Sequence, residues 1–299
     1  MKRAPGETVL TKRTGRPRAP FSRAALYLML ILVSLVFAAP LIWMVSTSLK
    51  PAEETLSTEL RLLPSEPAKI PEYAVRHYTE AWTDPIVDFP LYLRNTLIVA
   101  VLSVSGVVVS STIAAYGFAR LRFRGRKVCF VVVLATMMIP FPVLMAPLYV
   151  IFKELGWIGS FRPLWVPAWF GHAFSIFLLR QYFMTIPKEL DEAARIDGCG
   201  HIGIFTRIIL PLSRPAIAVV ALFYFIFVWN DFLGPLIFLQ HRDQFTLALG
   251  LQAYQSQAGA TSWNLLMAAS VMVILPVLVL FFLTQRTFVE GIATQGLKE

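Results

Sequence analysis

Carboxylates are the side chains whose placement in this sequence could do chemistry. Four of them, Glu189, Asp191, Glu192 and Asp197, fall inside the 27-residue stretch ELDEAARIDGCGHIGIFTRIILPLSRP at 189–215. Arg195, Arg207 and Arg214 stand among them, and long apolar runs lie on either side. No second histidine or cysteine accompanies them at metal-ligand spacing. His201 and Cys199 are single, as are His77, His172, His241 and Cys129 elsewhere, so each histidine reads as polar packing ahead of a metal role. The chain also has no G-x-x-x-x-G-K-S/T phosphate loop, no G-x-S-x-G elbow and no H-E-x-x-H pair. Acids and arginines without a catalytic partner can still recognise charge on another surface. Any energy or reaction must then come from that other surface.

Local signals turn the stretch into two short helices. Pro187 suits a first helical turn, and Glu189, Asp191 and Glu192 favour the positive end of the helix dipole. Asp191 and Arg195 are spaced for an i,i+4 pair, and Gly198 suits a helix stop. After the Gly-Cys-Gly break, 201–210 predicts a second helix with Ile204, Phe205 and Ile208 on one side and Pro211 ending it. Ala193 and Ala194 allow close approach to another surface. An amphipathic pair lying on lipid headgroups is the alternative, but such helices carry basic polar faces. Here the first helix leads with acids, which anionic lipid repels, so docking to a protein is favoured.

The elements around this hairpin are dictated by composition. The chain is 57% hydrophobic and 15% charged, with mean hydropathy +0.64, whereas soluble domains are about a quarter charged. A bilayer core needs about 20 apolar residues per helix. Runs at 24–49, 95–119, 128–152, 163–186, 215–240 and 262–285 meet that length, which predicts six transmembrane helices and an all-α integral membrane fold. Pro40, Pro140, Pro142, Pro147 and Pro276 predict kinks. The first run is about twice as long as a signal h-region, which spans about 7 to 15 residues, and is read as an uncleaved anchor.

Charge orients the spans. Seven basic residues precede the first span against Glu7 alone, and RLRFRGRK at 120–127 carries five and no acid, so both are expected to be cytoplasmic. The connections on the other side then hold eight basic residues against ten acids. The inner segments, counting Arg180, hold nineteen against seven. Topology thus accounts for the net charge of +9, and no basic stripe with interleaved aromatics points to nucleic acid.

The predicted organisation is a basic cytoplasmic tail at 1–23, a six-helix domain at 24–286 and a cytoplasmic C-terminal tail at 287–299. The docking loop, 187–214, lies between the fourth and fifth spans, and an extracytoplasmic loop occupies 50–94. That loop contains Pro64, Pro67, Pro71, Tyr73, Tyr78 and Trp82, which suggests an ordered excursion in place of a floppy linker. Asp231, beside Asn230, is the one acid within a span. Intramembrane ionisable groups face a cavity or a partner, so these two residues are candidates for a substrate path, with bonding to a neighbouring helix the plainer reading.

Glu192-Ala193-Ala194, then Asp197-Gly198, then Ile208, Leu210 and Pro211 match the signature of membrane permeases in binding-protein-dependent ABC importers, the EAA motif. NTLIVA at 95–100, AAYGFARLRFRGR at 114–126, MIPFPVLMAPLYVIFKELG at 138–156, FLLRQYF at 177–183, WNDFLGPL at 229–236 and FVEGIATQGLKE at 288–299 resemble the maltose-type carbohydrate permeases of that family. Cys199 departs from the family, where Ala is usual, but Cys is also small when buried.

The resemblance implies a non-catalytic subunit of the plasma membrane, paired with a second homologous permease. It also implies two ATPase subunits that bind ATP and Mg, an extracytoplasmic solute-binding protein, and no cofactor bound by this chain. It assigns the EAA hairpin to ATPase coupling and the tail, with Glu290, Gly291 and Gln295, to ATPase contact. The substrate class implied is a sugar or oligosaccharide. A self-sufficient ion-coupled transporter is the alternative, but it should show inverted repeats and several intramembrane carboxylates.

Overall fold

The computed structural model describes residues 20–55, 57, 61–85, 87–255 and 261–296, with side chains described between residues 24 and 285. The expected basic tail therefore lies outside the described residues, except where the first helix begins. All regular structure among the described residues is helical. The chain divides into two compact units, residues 1–44 and 45–299. Helix α1, Pro20–Ser48, supplies the first unit, and its stretch Ala24–Ser48 is long and apolar enough to cross a membrane.

The second unit begins with an ordered excursion. α2 (Ala52–Thr55), a 3-10 turn and α3 (Ile70–Thr83) fill much of the connection to the next long helix. His77 of α3 is fully buried, its Nδ1 lying 2.8 Å from the Ser48 carbonyl, while Ser48 Oγ sits 3.0 Å from the Tyr78 hydroxyl. Ala81 packs into a core with Phe89, Tyr92, Trp229 and Leu266. The proline and aromatic content of this segment thus builds a packed helix.

α4, Phe89–Arg120, is the axle of the unit. Asp88 caps it, its carboxylate accepting from the Leu91 amide at 3.1 Å. Its buried face includes Thr96, Ala100, Ser103, Val107, Ser111 and Ala115, three or four residues apart, with small side chains predominating. Such a stripe lets another backbone approach closely. The approaching backbone is α7 (Arg162–Trp165), the 3-10 turn Val166–Phe170 and α8 (Ala173–Thr185).

The run at 163–186, expected as one span, is therefore three pieces. Pro163 opens the first piece, and Pro167 and Gly171, the latter at φ 101°, interrupt the run, because proline lacks the amide hydrogen that a continuous helix needs. Irregular backbone at membrane depth is tolerated only where its polar groups are satisfied, and α4 satisfies them. Ser103 Oγ donates to the Leu164 carbonyl at 3.3 Å, Ser110 Oγ to the Ala168 carbonyl at 3.0 Å, and Ser111 Oγ accepts from the His172 amide at 3.2 Å. Trp169 lies flat on Gly106, where a Cβ would come within 2.5 Å of the indole. Its Nε1 donates to the Leu102 carbonyl at 3.1 Å.

The run at 128–152 is also bent. α5 (Arg126–Thr136) and α6 (Phe141–Glu154) meet at 98°. The amides of Met137 and Met138 reach only three residues back before Pro140 and Pro142 end the turn. After α8 come α9 (Glu189–Ile196), α10 (His201–Ile204), a π-helical turn Phe205–Ile209 and α11 (Leu210–Leu212). α12 (Arg214–Trp229) and α13 (Leu233–Phe238) follow, then α14 (Leu247–Leu251) and α15 (Trp263–Gly296). Among the described residues three helices are long and apolar enough to span a membrane, or up to five if each of two bent pairs counts as one. The second pair, residues 201–212 and 214–229, meets at 75°.

The far end of α4 is tied down by its own polar residues. Asn95 Nδ2 donates to the carbonyls of Asp243 and Phe245 at 2.8 and 3.0 Å, and Thr96 Oγ1 accepts from the Leu247 amide at 2.8 Å. The NTLIVA stretch thus clamps the connection from α13 to α14. Trp229 Nε1 donates to the Val273 carbonyl at 3.1 Å and joins α12 to α15.

Candidate functional site

The hairpin at 187–212 is built on the end of α4. α9 is only eight residues long, too short to persist alone, so tertiary contacts must hold it. Gly198 ends it with φ 81°. The Gly198 amide donates to the Arg195 carbonyl at 3.0 Å and the Cys199 amide to the Ala194 carbonyl at 2.8 Å. This pairing of the last carbonyls needs a left-handed residue, for which glycine is suited. A Cβ on Gly198 would meet nothing within 4 Å in this chain. The backbone angle, with no clash inside the chain, is therefore what fixes glycine there.

Asp191 does not complete an exposed pair with Arg195. It turns inward, and its Oδ2 lies 3.3 Å from Arg120 Nη1, with the two side chains 8% and 3% exposed. Arg120 Nη2 also donates to the carbonyls of Phe183 and Ile186, at 2.8 and 2.7 Å. One guanidinium thus joins the end of α4 to the end of α8 and to α9. Tyr116, one turn earlier on α4, donates its hydroxyl to the His201 carbonyl at 3.1 Å, and its ring lies 4.9 Å from that of Phe205. Ile204 and Ile209 are fully buried in the core of Val107, Ala115, Leu179, Phe183 and Val220, against which Ala194 and Cys199 also pack.

Pro211 does not end the second helix, which runs on to Leu212. A proline ring crowds the carbonyl four residues earlier, here Arg207. The π-helical turn over Phe205–Ile209 meets this by widening, with the Leu210 amide bonding to the Phe205 carbonyl five residues back.

Of the eight hairpin residues expected to act together, Glu192, Ala193, Asp197, Gly198 and Pro211 are exposed, while Ala194, Ile208 and Leu210 are half-buried. Ile196 and Ile202, which flank Gly198, are 87% and 80% exposed. The sequence pattern did not single them out. Nor did it assign Tyr116 and Arg120 a role here, although both lie in AAYGFARLRFRGR four residues apart, on one face of α4.

Asn230 and Asp231 sit where α12 ends, about 24 Å of helix from its start at 1.5 Å per residue. Asn230 is exposed and its Nδ2 donates to the Ile226 carbonyl at 2.8 Å. Asp231 Oδ1 accepts from the Gly234 amide, in the first turn of α13, at 3.1 Å. The two are not brought near the hairpin. Glu290, Gly291 and Gln295 continue the helical backbone of α15, which runs past the expected end of the last span, and their side chains lie outside the described residues.

Residues 106–293 match the family described as binding-protein-dependent transport system inner membrane component. The chain is 34% identical to the trehalose/maltose transport system permease protein MalG of Thermococcus litoralis, covering 90% of this chain and 94% of that one. It is 33% identical to the arabinooligosaccharides transport system permease protein AraQ of Bacillus subtilis, over 94% and 98%. Its fold is similar to a chain in the crystal structure of a bacterial ABC transporter involved in import of the acidic polysaccharide alginate. The TM-score is 0.77 at 22% identity, covering 91% of this chain and 99% of that one.

Proposed function

The chain belongs to the family of binding-protein-dependent transport system inner membrane components, and from that membership we propose that it is the transmembrane permease subunit of an ATP-driven importer carrying a sugar or oligosaccharide into the cytoplasm. It crosses the membrane six times with both termini cytoplasmic, pairs with a second permease and receives substrate from an extracytoplasmic binding protein. Two partner ATPases bind and hydrolyse ATP with Mg. The two relatives named for trehalose/maltose and arabinooligosaccharide transport support the sugar class. Dependence on a binding protein disfavours a self-sufficient ion-coupled carrier.

The observation that carries the mechanical part is the buried Arg120–Asp191 pair. It fastens α9 to the end of α4, so a push on α9 moves the long helix with it. The surface left to receive that push is Glu192, Ala193, Ile196, Gly198 and Ile202, all exposed. Covering two isoleucines contributes about 1.5 to 3 kcal/mol each, and Glu192 supplies a charge for a basic group of the ATPase. At the other end of α12, Asn230 and Asp231 border the path of the sugar, and Glu290, Gly291 and Gln295 meet the ATPase pair.

Glu192→Ala and Gly198→Asp test this in the purified complex. Losing one partner of a desolvated charge pair costs about 2 to 5 kcal/mol, so Glu192→Ala should weaken ATPase retention. Gly198→Asp should abolish uptake, although its strain within the chain is only about 1 kcal/mol, because the new charge stands in the contact. Normal retention and normal uptake in both variants would refute coupling through this hairpin.

A further inference from the structure

Beneath the hairpin lies a cavity of about 660 Å³ between the ends of α4 and α8, the turn into α5, and α9. Six cations line it, Arg120, Arg122, Arg126, Arg180, Lys188 and Arg195, against two carboxylates, Asp191 and Glu192. Arg120 and Asp191 offset each other. Among the described residues none of the other five cations has a carboxylate oxygen within 4.0 Å. Five like charges around one concavity repel one another, and low-dielectric walls strengthen their common field.

Two of these arginines are held in place with donors to spare. Arg180 stacks its guanidinium 4.2 Å over the Phe130 ring and donates Nε to the Phe118 carbonyl at 3.4 Å. Arg126 donates Nη1 to the Leu121 carbonyl at 2.8 Å. Arg120 Nε, a donor on a side chain at least nine-tenths buried that lines the same cavity, has no hydrogen-bond partner, whereas Asp191 Oδ1, also unpartnered, faces the ion pair as an acceptor. Ligand cavities run from about 300 to 1,000 Å³, so the volume has room for a phosphate together with the waters or the headgroup around it.

We propose that this cavity binds a phosphate group, presented by an anionic lipid headgroup or as free phosphate. Arginine forks match phosphate oxygens bidentately, and basic pockets between membrane helices on the cytoplasmic side take up headgroups. A phosphate here lies among Arg122, Arg126, Arg180, Lys188 and Arg195 and offsets their mutual repulsion, which braces α9 against α4 and α8. The proposal goes beyond the transport reading, and its binding test does not depend on uptake.

The complex with its partner subunits is reconstituted in bilayers of phosphatidylcholine alone or with phosphatidylglycerol. Native mass spectrometry then counts retained lipid, and calorimetry with sodium phosphate in the phosphatidylcholine bilayers reads the free anion. Arg122→Gln/Lys188→Gln removes two exposed cations without touching the core, and Lys69→Gln/Arg76→Gln removes the same charge elsewhere. Retention of phosphatidylglycerol that falls about tenfold or more in the first variant only identifies a headgroup, since each 1.4 kcal/mol is tenfold. Phosphate heat lost in the first variant only identifies the free anion. Equal retention of both lipids with no phosphate heat overturns the proposal, as does equal loss in both variants. Protection of the cavity arginines from chemical modification by the ATPase alone, in every lipid, also overturns it and assigns the cavity to the protein partner.

Discussion

Asp191→Asn removes one charge from the Arg120–Asp191 pair while keeping its shape. At 3.3 Å and an effective dielectric constant of about 20, the attraction is about 5 kcal/mol before desolvation is subtracted. Arg120 keeps its bonds to the Phe183 and Ile186 carbonyls, so it stays buried and loses its counter-charge. Breaking such a pair on one side costs about 3 kcal/mol or more. α9 has few other ties, mainly Ala194 in the core and the following chain through Tyr116 to His201. The loss should therefore appear as local opening of α9, with the rest of the fold retained. At a factor of ten per 1.4 kcal/mol, amide exchange over 187–200 should speed up about a hundredfold. Hydrogen-exchange mass spectrometry of the purified complex reads this directly. Glu189→Gln, an exposed neighbour outside the proposed docking surface, should change it by less than about 0.5 kcal/mol. Arg120→Met/Asp191→Leu should recover only part of the protection, because the two carbonyls lose their donor. Unchanged exchange over 187–200 in Asp191→Asn would refute the view that this pair fastens α9.

Gly106→Ala places a methyl against the Trp169 indole and should lower thermal stability by about 2 kcal/mol, read as an earlier unfolding midpoint; an unchanged midpoint would deny that the close contact matters. Reporter fusions at the C-terminus and within residues 61–80 should report the cytoplasm and the outside respectively, and an externally active C-terminus would sink the six-span topology. Deleting residues 291–299 should lower uptake while the permease still inserts, and full uptake would remove any role for the tail.

Hydropathy and local helix signals were enough to read an all-helical membrane protein, the ordered segment after α1 and the pair of short helical segments within 189–212. Those properties are additive along the chain: twenty apolar residues favour lipid wherever they fold, and Gly198 stops a helix through its own backbone. The bend between α5 and α6 was legible from Pro140 and Pro142, but the break within 163–186 was not, because a hydropathy sum ignores whether amides are bonded. The run at 163–186 is broken at Pro167 and Gly171, and Ser103, Ser110 and Ser111 on α4, distant in sequence, bond the backbone groups that the break frees. Asp191 and Glu192 are adjacent acids in the first turn of one helix, and the sequence gives them the same local roles. About 100° of helical rotation separates them, which turns one inward to Arg120 and leaves the other exposed. Packing α9 against α4 alone decides which carboxylate fastens the hairpin and which stays exposed.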